Sequence, residues 1–266
     1  MAQAPRTPVG ESSLSDQPRD KVGDAAIAFG RAAWVGALSG VGVGLLMGVL
    51  NRLIMRVVAV MNGPTAIETD FGAKVLNVTL AGTIFLIIVT VIFAIVPGLL
   101  YVGLRRLLPG GVLMGGLAFG ALIAAVYGST IVDSQARDFR LLGEPMVSAA
   151  MFLCAFVIFG LLVAPLAARL DRRLAGDPSG GASFLYTVVG SLIVLVAAQG
   201  LFVGRWSWLL ALPLGFALAV SAGERRGARW IDHRWLVRAG GYVALAVPFA
   251  LGLTEIGQEL TEIAGA

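Results

Sequence analysis

The sequence predicts an all-α membrane protein, a polytopic bundle of seven transmembrane helices. Apolar residues make up 58% of the 266-residue chain and charged residues 14%, and the mean hydropathy is +0.87. Because a soluble domain carries roughly a quarter charged residues, most of this chain should face lipid. The apolar residues also fall into runs of about 20, the length that a helix needs to cross a bilayer.

Seven such runs occur along the chain. They are 32–50, 78–104, 112–132, 146–168, 183–203, 208–222 and 236–257. The sixth is short and interrupted by Pro213, so a re-entrant helix with six full spans is the alternative. Residues 1–23 are polar and lack the apolar core of a signal peptide, so we expect a disordered cytoplasmic tail there. Residues 24–266 then form the transmembrane helical domain.

The basic residues predict the orientation of the bundle. Of 20 lysines and arginines, 14 fall in segments that face the cytoplasm if the N-terminus lies inside. Because cytoplasmic loops carry such an excess, we expect a cytoplasmic N-terminus and an external C-terminus. The net charge of +4 reflects this topology and requires no nucleic-acid partner. The densest basic segment, 224–235, predicts contact with anionic lipid headgroups at the inner loops.

The rare residue types argue against several kinds of chemistry. The chain has one histidine, His233, and one cysteine, Cys154. A haem held by two histidines or a histidine-rich metal site needs at least two. The sequence shows neither a glycine-rich phosphate-binding motif nor a Gly-x-Ser-x-Gly motif. We therefore expect no metal, cofactor or catalytic residue. Asp133 and Asp138 would be the first candidates in the weaker reading, an enzyme acting on lipid.

Glycines recur at four-residue spacing in the first and third predicted spans. They are Gly36, Gly40, Gly44 and Gly48, and then Gly116, Gly120 and Gly128 with Ala124 between them. This spacing puts each set on one helix face, where small residues let helix backbones approach closely in lipid. Two interpretations remain open. The ridges pack inside the bundle, for example on each other, or they form a face for a homodimer or partner subunit.

A mixed-charge group is predicted on the outer side of the membrane. It consists of Arg52, Arg56, Glu68, Asp70, Asp133 and Arg137. The two arginines at 52 and 56 lie four residues apart, on one side of the first helix where it leaves the bilayer. In one interpretation they bind a carboxylate or phosphate. In the other they reach the lipid headgroups or pair with the acidic loops.

Five short stretches carry a resemblance to a known group. They are Asn-Arg-Leu-Ile-Met-Arg at 51–56, Glu-Thr-Asp-Phe-Gly at 68–72, Thr-Leu-Ala-Gly-Thr at 79–83, Leu-Arg-Arg-Leu-Leu-Pro at 104–109 and Asp-Phe-Arg-Leu-Leu at 138–142. Over roughly residues 45–170 the chain resembles uncharacterised multi-pass membrane proteins of the actinobacterial type. The resemblance implies a bacterial inner (plasma) membrane protein. It implies no activity and no site.

Two functions from different classes follow. The first is a non-catalytic accessory, scaffold or homo-oligomeric membrane component packed through the glycine ridges. Its partners are the lipid bilayer and either a second copy or a membrane partner subunit. The alternative is a transporter or binder of a small anion or lipid headgroup that uses Arg52 and Arg56.

Overall fold

The computed structural model describes residues 21–62, 80–131, 145–174, 207–226 and 234–265. These parts are helical, and a short turn at 105–111 joins two of the helices. The helices are α1 (Lys21–Asn62), α2 (Leu80–Leu104), α3 (Val112–Ile131), α4 (Pro145–Arg173), α5 (Ala211–Arg226) and α6 (Arg234–Gly265), and a 3-10 turn, Ser207–Leu210, precedes α5. The described parts contain no strand, which confirms the all-α class.

Four of the described helices are long and apolar enough to cross a membrane. Their apolar segments are Ala26–Val57, Leu80–Leu104, Ala149–Arg173 and Ala239–Glu262. The apolar segment of α3, Val112–Gly128, is shorter. These five helices correspond to the first four predicted spans and the seventh. Their lengths and compositions indicate a membrane protein.

Three helices extend well beyond the predicted ends of their spans. α1 has 42 residues, or about 63 Å at 1.5 Å per residue, against a hydrocarbon core of about 30 Å. The predicted span ends at residue 50, and Arg52 and Arg56 were expected on the same helix where it leaves the bilayer. Arginine, leucine and methionine are good helix formers, so the polar residues end the apolar segment without ending the helix. α4 continues in the same way to Arg173, and α6 to Gly265.

The count of seven spans is not confirmed. The fifth predicted span, 183–203, lies outside the described residues. The sixth corresponds to α5, which has 16 residues and measures about 24 Å. Because α5 ends in Glu224, Arg225 and Arg226, its apolar part is shorter than the helix itself.

The first four helices form two antiparallel pairs. α1 packs along α2, and α3 packs along α4, while α1 also contacts α4 and α6 contacts α3. We name the two ends of this arrangement by their residues. At the Arg52 end, α1 and α3 end and α2 and α4 begin. At the Arg105 end, α2 and α4 end.

The apolar core forms where the two pairs meet. Side chains that are fully buried there include Leu104, Phe119, Ile123, Val126 and Val163. The Tyr101 and Phe119 rings pack edge to face, with centroids 5.3 Å apart and an interplanar angle of 72°, a favoured aromatic geometry. This contact joins α2 to α3 and therefore one helix pair to the other.

α5 lies beside the Arg105 end of the bundle. The Cδ1 atom of Leu214 lies next to Gly103 near the end of α2, and the Phe216 ring lies next to Gly240 at the beginning of α6. The neighbouring Gly241 lies against Leu107 in the turn after α2. The first half of α5 is therefore level with the end of α2.

Candidate functional site

The first glycine ridge lies directly against α2. A Cβ atom added to each of its four glycines would come within 2.5–2.9 Å of an α2 atom, closer than real Cβ atoms approach their neighbours. The nearest Cα atoms of α2 step back by four residues as α1 advances by four: those of Leu99, Ile95, Val91 and Ile87 lie against Gly36, Gly40, Gly44 and Gly48. The contact is therefore regular and antiparallel. We call it the α1–α2 seam.

Gly98 is the tightest point on the α2 side of this seam. A Cβ atom on Gly98 would collide with the carbonyl oxygen of Gly36 and would lie 2.8 Å from the Gly40 Cα atom. These are backbone atoms, so no change of side-chain rotamer relieves the collision. Two glycines four residues apart on α1 thus enclose a single glycine of α2.

The α3–α4 seam repeats this plan. A Cβ atom on Gly116 would lie 2.6 Å from the Gly160 carbonyl oxygen, and one on Gly120 would lie 2.8 Å from the Val157 Cα atom. A Cβ atom on Gly160 would collide with the Gly116 carbonyl oxygen and lie 2.6 Å from the Gly120 Cα atom. Again, two glycines four residues apart on the first helix enclose a single glycine of the second.

Gly128 and Gly252 connect α6 to the second pair. A Cβ atom on Gly252 would collide with the carbonyl group of Ala125 in α3. A Cβ atom on Gly128 would lie 2.6 Å from Cδ1 of Ile256 and 2.9 Å from Cδ2 of Leu153. Gly128 thus sits where α3, α4 and α6 meet.

The structure places each glycine ridge against the next helix of the same chain. The ridges at 36–48 and 116–120 do not face each other, because the atoms nearest to them belong to α2 and α4. Their surfaces are consequently covered within one chain. An interface with a second polypeptide therefore has to use another part of the molecule.

An ion pair joins the two helix pairs at the Arg105 end. The Nη1 atom of Arg105 lies 3.0 Å from Oδ2 of Asp171, and both side chains are about 30% exposed, at 31% and 29%. An exposed pair of this kind contributes about 1 kcal/mol or less. Its main consequence is geometric, since it holds the ends of α2 and α4 side by side.

Arg52 and Arg56 occupy different environments at the other end. Extending the α1–α2 register by one turn beyond Gly48 places Arg52 level with Thr83, in the first turn of α2. The Nε and Nη1 atoms of Arg52 are shielded from solvent, whereas the Arg56 side chain is exposed. Arg52 therefore adds its charge near the N-terminus of α2, where the helix dipole is also positive.

The remaining members of the predicted polar group lie outside the described residues. They are Glu68, Asp70, Asp133 and Arg137. The same holds for Asp138, His233 and the central part of the basic segment, 227–233. Within the described ranges, no three histidine, cysteine, aspartate or glutamate side chains are grouped so that they could bind a metal ion.

An open groove that the sequence did not predict lies between α1 and α4 near the Arg52 end. Its volume is about 510 Å³, and its lining is Leu50 and Ile54 from α1 with Met146, Val147, Ala150, Met151, Cys154 and Ile158 from α4. We call it the α1–α4 groove. The one signal in the sequence is the four-residue spacing from 146 to 158. In an apolar helix that spacing is equally typical of ordinary lipid-facing surface, so it did not predict a groove.

No family model, curated protein or solved structure matches this chain. The resemblance to multi-pass proteins of the actinobacterial type stays a prediction.

Proposed function

We propose that the protein is a non-catalytic component of a bacterial inner membrane that assembles with another membrane polypeptide. That polypeptide is either a second copy of the chain or a partner subunit for which this protein is an accessory or scaffold. Because both glycine ridges are covered within one chain, the assembly surface lies elsewhere. The exposed face of α2 is the observation that carries the proposal.

The half of α2 nearer the Arg52 end exposes large apolar side chains over more than half of its circumference. Six of them are about half exposed or more: Leu80, Ile84, Phe85, Ile88, Ile92 and Phe93. The apolar segment of α2 is also the least buried of the four membrane-length segments, at 17% against 56% for α1. We call this surface the α2 face.

The residue types of the α2 face suit a helix–helix contact. In lipid, helices associate through close packing, because burial of apolar surface provides little gain there. The branched isoleucine side chains at 84, 88 and 92 have few rotamers and form a line along one side of the helix. Rigid side chains lose little conformational entropy when a partner binds. The α2 face thus presents an ordered surface to another helix.

The proposed orientation puts the Arg105 end in the cytoplasm. The fold gathers five arginines near this end: Arg105, Arg106, Arg169, Arg172 and Arg173. α6 runs parallel to α3, since Gly241 lies near Leu107 and Gly252 lies against Ala125. This direction supports a C-terminus at the external side, and the N-terminus of α1 is accordingly cytoplasmic.

Ile88→Trp should prevent assembly while leaving the fold intact. Ile88 is 52% exposed, so a tryptophan there can point away from the described helices, but it would disturb helix packing with a partner. Val243→Trp, at an exposed position of α6, is the matched control and should have no effect. Native mass spectrometry after gentle extraction should show a dimer or a stoichiometric second polypeptide for the wild type and for Val243→Trp. Bare wild-type monomer would contradict the proposal.

The position of Arg52 supports a second function, the binding of a small anion or lipid headgroup. A guanidinium group beside a helix N-terminus combines two sources of positive potential that favour an anion. The double variant Arg52→Gln/Arg56→Gln should lose any thermal stabilisation by inorganic phosphate or phosphatidylglycerol. Arg106→Gln, an exposed arginine at the opposite end, should retain it. Stabilisation that survives the double substitution would place the site elsewhere.

A further inference from the structure

We propose that three arginines at the Arg105 end bind the phosphate group of an anionic membrane lipid. We call them the arginine site: Arg31 of α1 with Arg169 and Arg173 of α4. The site shares no residue with the α2 face and lies at the opposite end of the bundle from Arg52. It is therefore separate from both functions proposed above, and also from the basic segment 224–235 in which the sequence predicts contact with anionic headgroups.

The contact between α1 and α4 places Arg31 and Arg173 on facing sides of these helices. A Cβ atom on Gly42 would lie 2.9 Å from Cδ2 of Leu166, so these two residues mark the facing sides. Two helical turns take about 7 residues and three turns about 11. Arg173, seven residues after Leu166, thus returns to the side of α4 that faces α1. Arg31, eleven residues before Gly42, likewise returns to the side of α1 that faces α4.

The two helices carry these arginines to similar heights. α1 and α4 run in opposite directions, so Arg31 and Arg173 both lie toward the Arg105 end from the Gly42–Leu166 contact. At 1.5 Å per residue, Arg173 lies about 10 Å beyond this contact and Arg31 about 16 Å beyond it. The difference is about one helical turn. Arg169 lies one turn before Arg173 on the same side of α4, and a single phosphate between the helices is thus within reach of all three side chains.

No acidic side chain neutralises the arginine site within the described residues. None of the three arginines takes part in an ion pair there. Asp171 is the one acidic residue of α4, but a step of two residues puts it on the opposite side of the helix from Arg173. Its Oδ2 atom instead lies 3.0 Å from Nη1 of Arg105. Three neighbouring positive charges repel one another, and a bridging phosphate would remove this repulsion while it accepts paired hydrogen bonds from the guanidinium groups.

The surface beside the arginine site favours a lipid over a free anion. Arg169 and Arg173 are exposed and Arg31 is half-buried. Toward the middle of the bundle, the same sides of α1 and α4 carry Leu38, which is 39% exposed, and the partly exposed Leu162. A free phosphate would contact the arginines alone, whereas an anionic lipid would also place the beginning of its acyl chains against these leucines. Basic sites between transmembrane helices bind lipid headgroups in this way.

Photo-crosslinking tests this proposal on the full-length wild-type protein in phosphatidylcholine nanodiscs. One sample contains a phosphatidylglycerol with a diazirine on its headgroup, and the other contains a phosphatidylcholine with the same group. The anionic probe should label residues 31–38 and 165–173 well above the zwitterionic probe, and an excess of inorganic phosphate should leave this labelling unchanged. Equal labelling by the two probes would overturn the proposal. So would loss of the label in phosphate, because it would make the ligand a free anion.

Substitutions at the arginine site provide the second measurement. A basic residue near the membrane surface contributes about 1 kcal/mol, or about fivefold in affinity. The probe concentration that gives half-maximal labelling should thus rise about fivefold in Arg173→Gln and about 25-fold in Arg31→Gln/Arg173→Gln. Arg106→Gln is the matched control, because it removes an exposed arginine at the same end from α2, which packs on the other side of α1. It should leave the half-maximal concentration unchanged.

Two results with these variants would overturn the proposal. The first is an equal rise in Arg106→Gln and Arg173→Gln, which would mean that labelling follows the overall charge of this end. The second is wild-type labelling in the double variant. Labels are assigned residue by residue, so lipid bound at the Arg52 end is counted separately and the two sites fail or succeed independently. If the double variant does not fold, the comparison of the two probes on the wild type decides the question.

Discussion

Gly160→Ala is expected to separate α3 from α4, although alanine is the better helix former. A Cβ atom at this position would collide with the backbone of Gly116 and Gly120, including the Gly120 Cα atom at 2.6 Å. Alanine gains about 1 kcal/mol over glycine in a helix, but overpacking costs about 1–3 kcal/mol and occasionally more. Because the colliding atoms belong to the backbone, we expect the upper end of that range and a net loss of at least about 1–2 kcal/mol.

The same substitution at Gly215 separates the two effects. Gly215 lies in α5, and an added Cβ atom there would meet no atom within 4 Å. Gly215→Ala should therefore be neutral or more stable by up to about 1 kcal/mol. The fraction of folded, monodisperse protein in detergent, measured against temperature, compares both variants with the wild type. A Gly160→Ala protein as stable as Gly215→Ala would show that the α3–α4 seam is not closely packed.

Gly252→Ala should have a comparably large effect, directed at α6. The added Cβ atom would collide with the carbonyl group of Ala125, so α6 has to move away from α3. Ile256 lies one turn further along α6, and it would then lose its contact with Gly128. We expect lower thermal stability and faster proteolysis within the C-terminal half of α6. The overpacking should lower the free energy of unfolding by about 1–3 kcal/mol or more.

Gly257 supplies the control on the same helix. An added Cβ atom at Gly257 would meet no atom within 4 Å, so Gly257→Ala should resist proteolysis at least as well as the wild type. Equal proteolysis rates for Gly252→Ala and Gly257→Ala would contradict the contact between α6 and α3. The two variants are well matched, because each adds one methyl group to α6 and the two positions are five residues apart.

Some features of the seams were readable from the sequence and others were not. The ridges at 36–48 and 116–120 were found because four-residue spacing repeats along one helix face. Their partners Gly98 and Gly160 were not, because a single glycine on the facing helix is sufficient at a crossing point and leaves no periodic pattern. The fold class depended on composition and was predictable, whereas the choice of partner helix depends on packing between distant segments.

The candidate polar site was likewise predictable from the sequence only in part. The spacing of Arg52 and Arg56 suggested one side of a helix and a shared function. In the structure the next step of four residues beyond Arg52 passes the beginning of α2 at Leu80, so Arg52 is shielded whereas Arg56 is exposed. The position of α5 beside the Arg105 end was also not predictable, since it depends on Gly103 and Gly240 accommodating the Leu214 and Phe216 side chains.

The central claim is that the glycine ridges build helix pairs within one chain, and cysteine crosslinking tests it directly. In a Cys154→Ala background, which removes the one native cysteine, Gly48→Cys is combined with Ile87→Cys. An ideal Cβ atom at position 48 lies 3.3 Å from the Ile87 Cβ atom. The small outward shift of α2 that the new side chain requires brings the pair into the disulfide range of about 3.5–4.5 Å.

Mild oxidation in native membranes should form this disulfide inside a single chain, so the double variant remains a monomer on non-reducing gels and its two helices stay linked after proteolysis between them. The single Gly48→Cys variant should form no crosslink. A disulfide-linked dimer from Gly48→Cys alone, with no intrachain bond in the double variant, would contradict the account and make the first ridge an interface between chains.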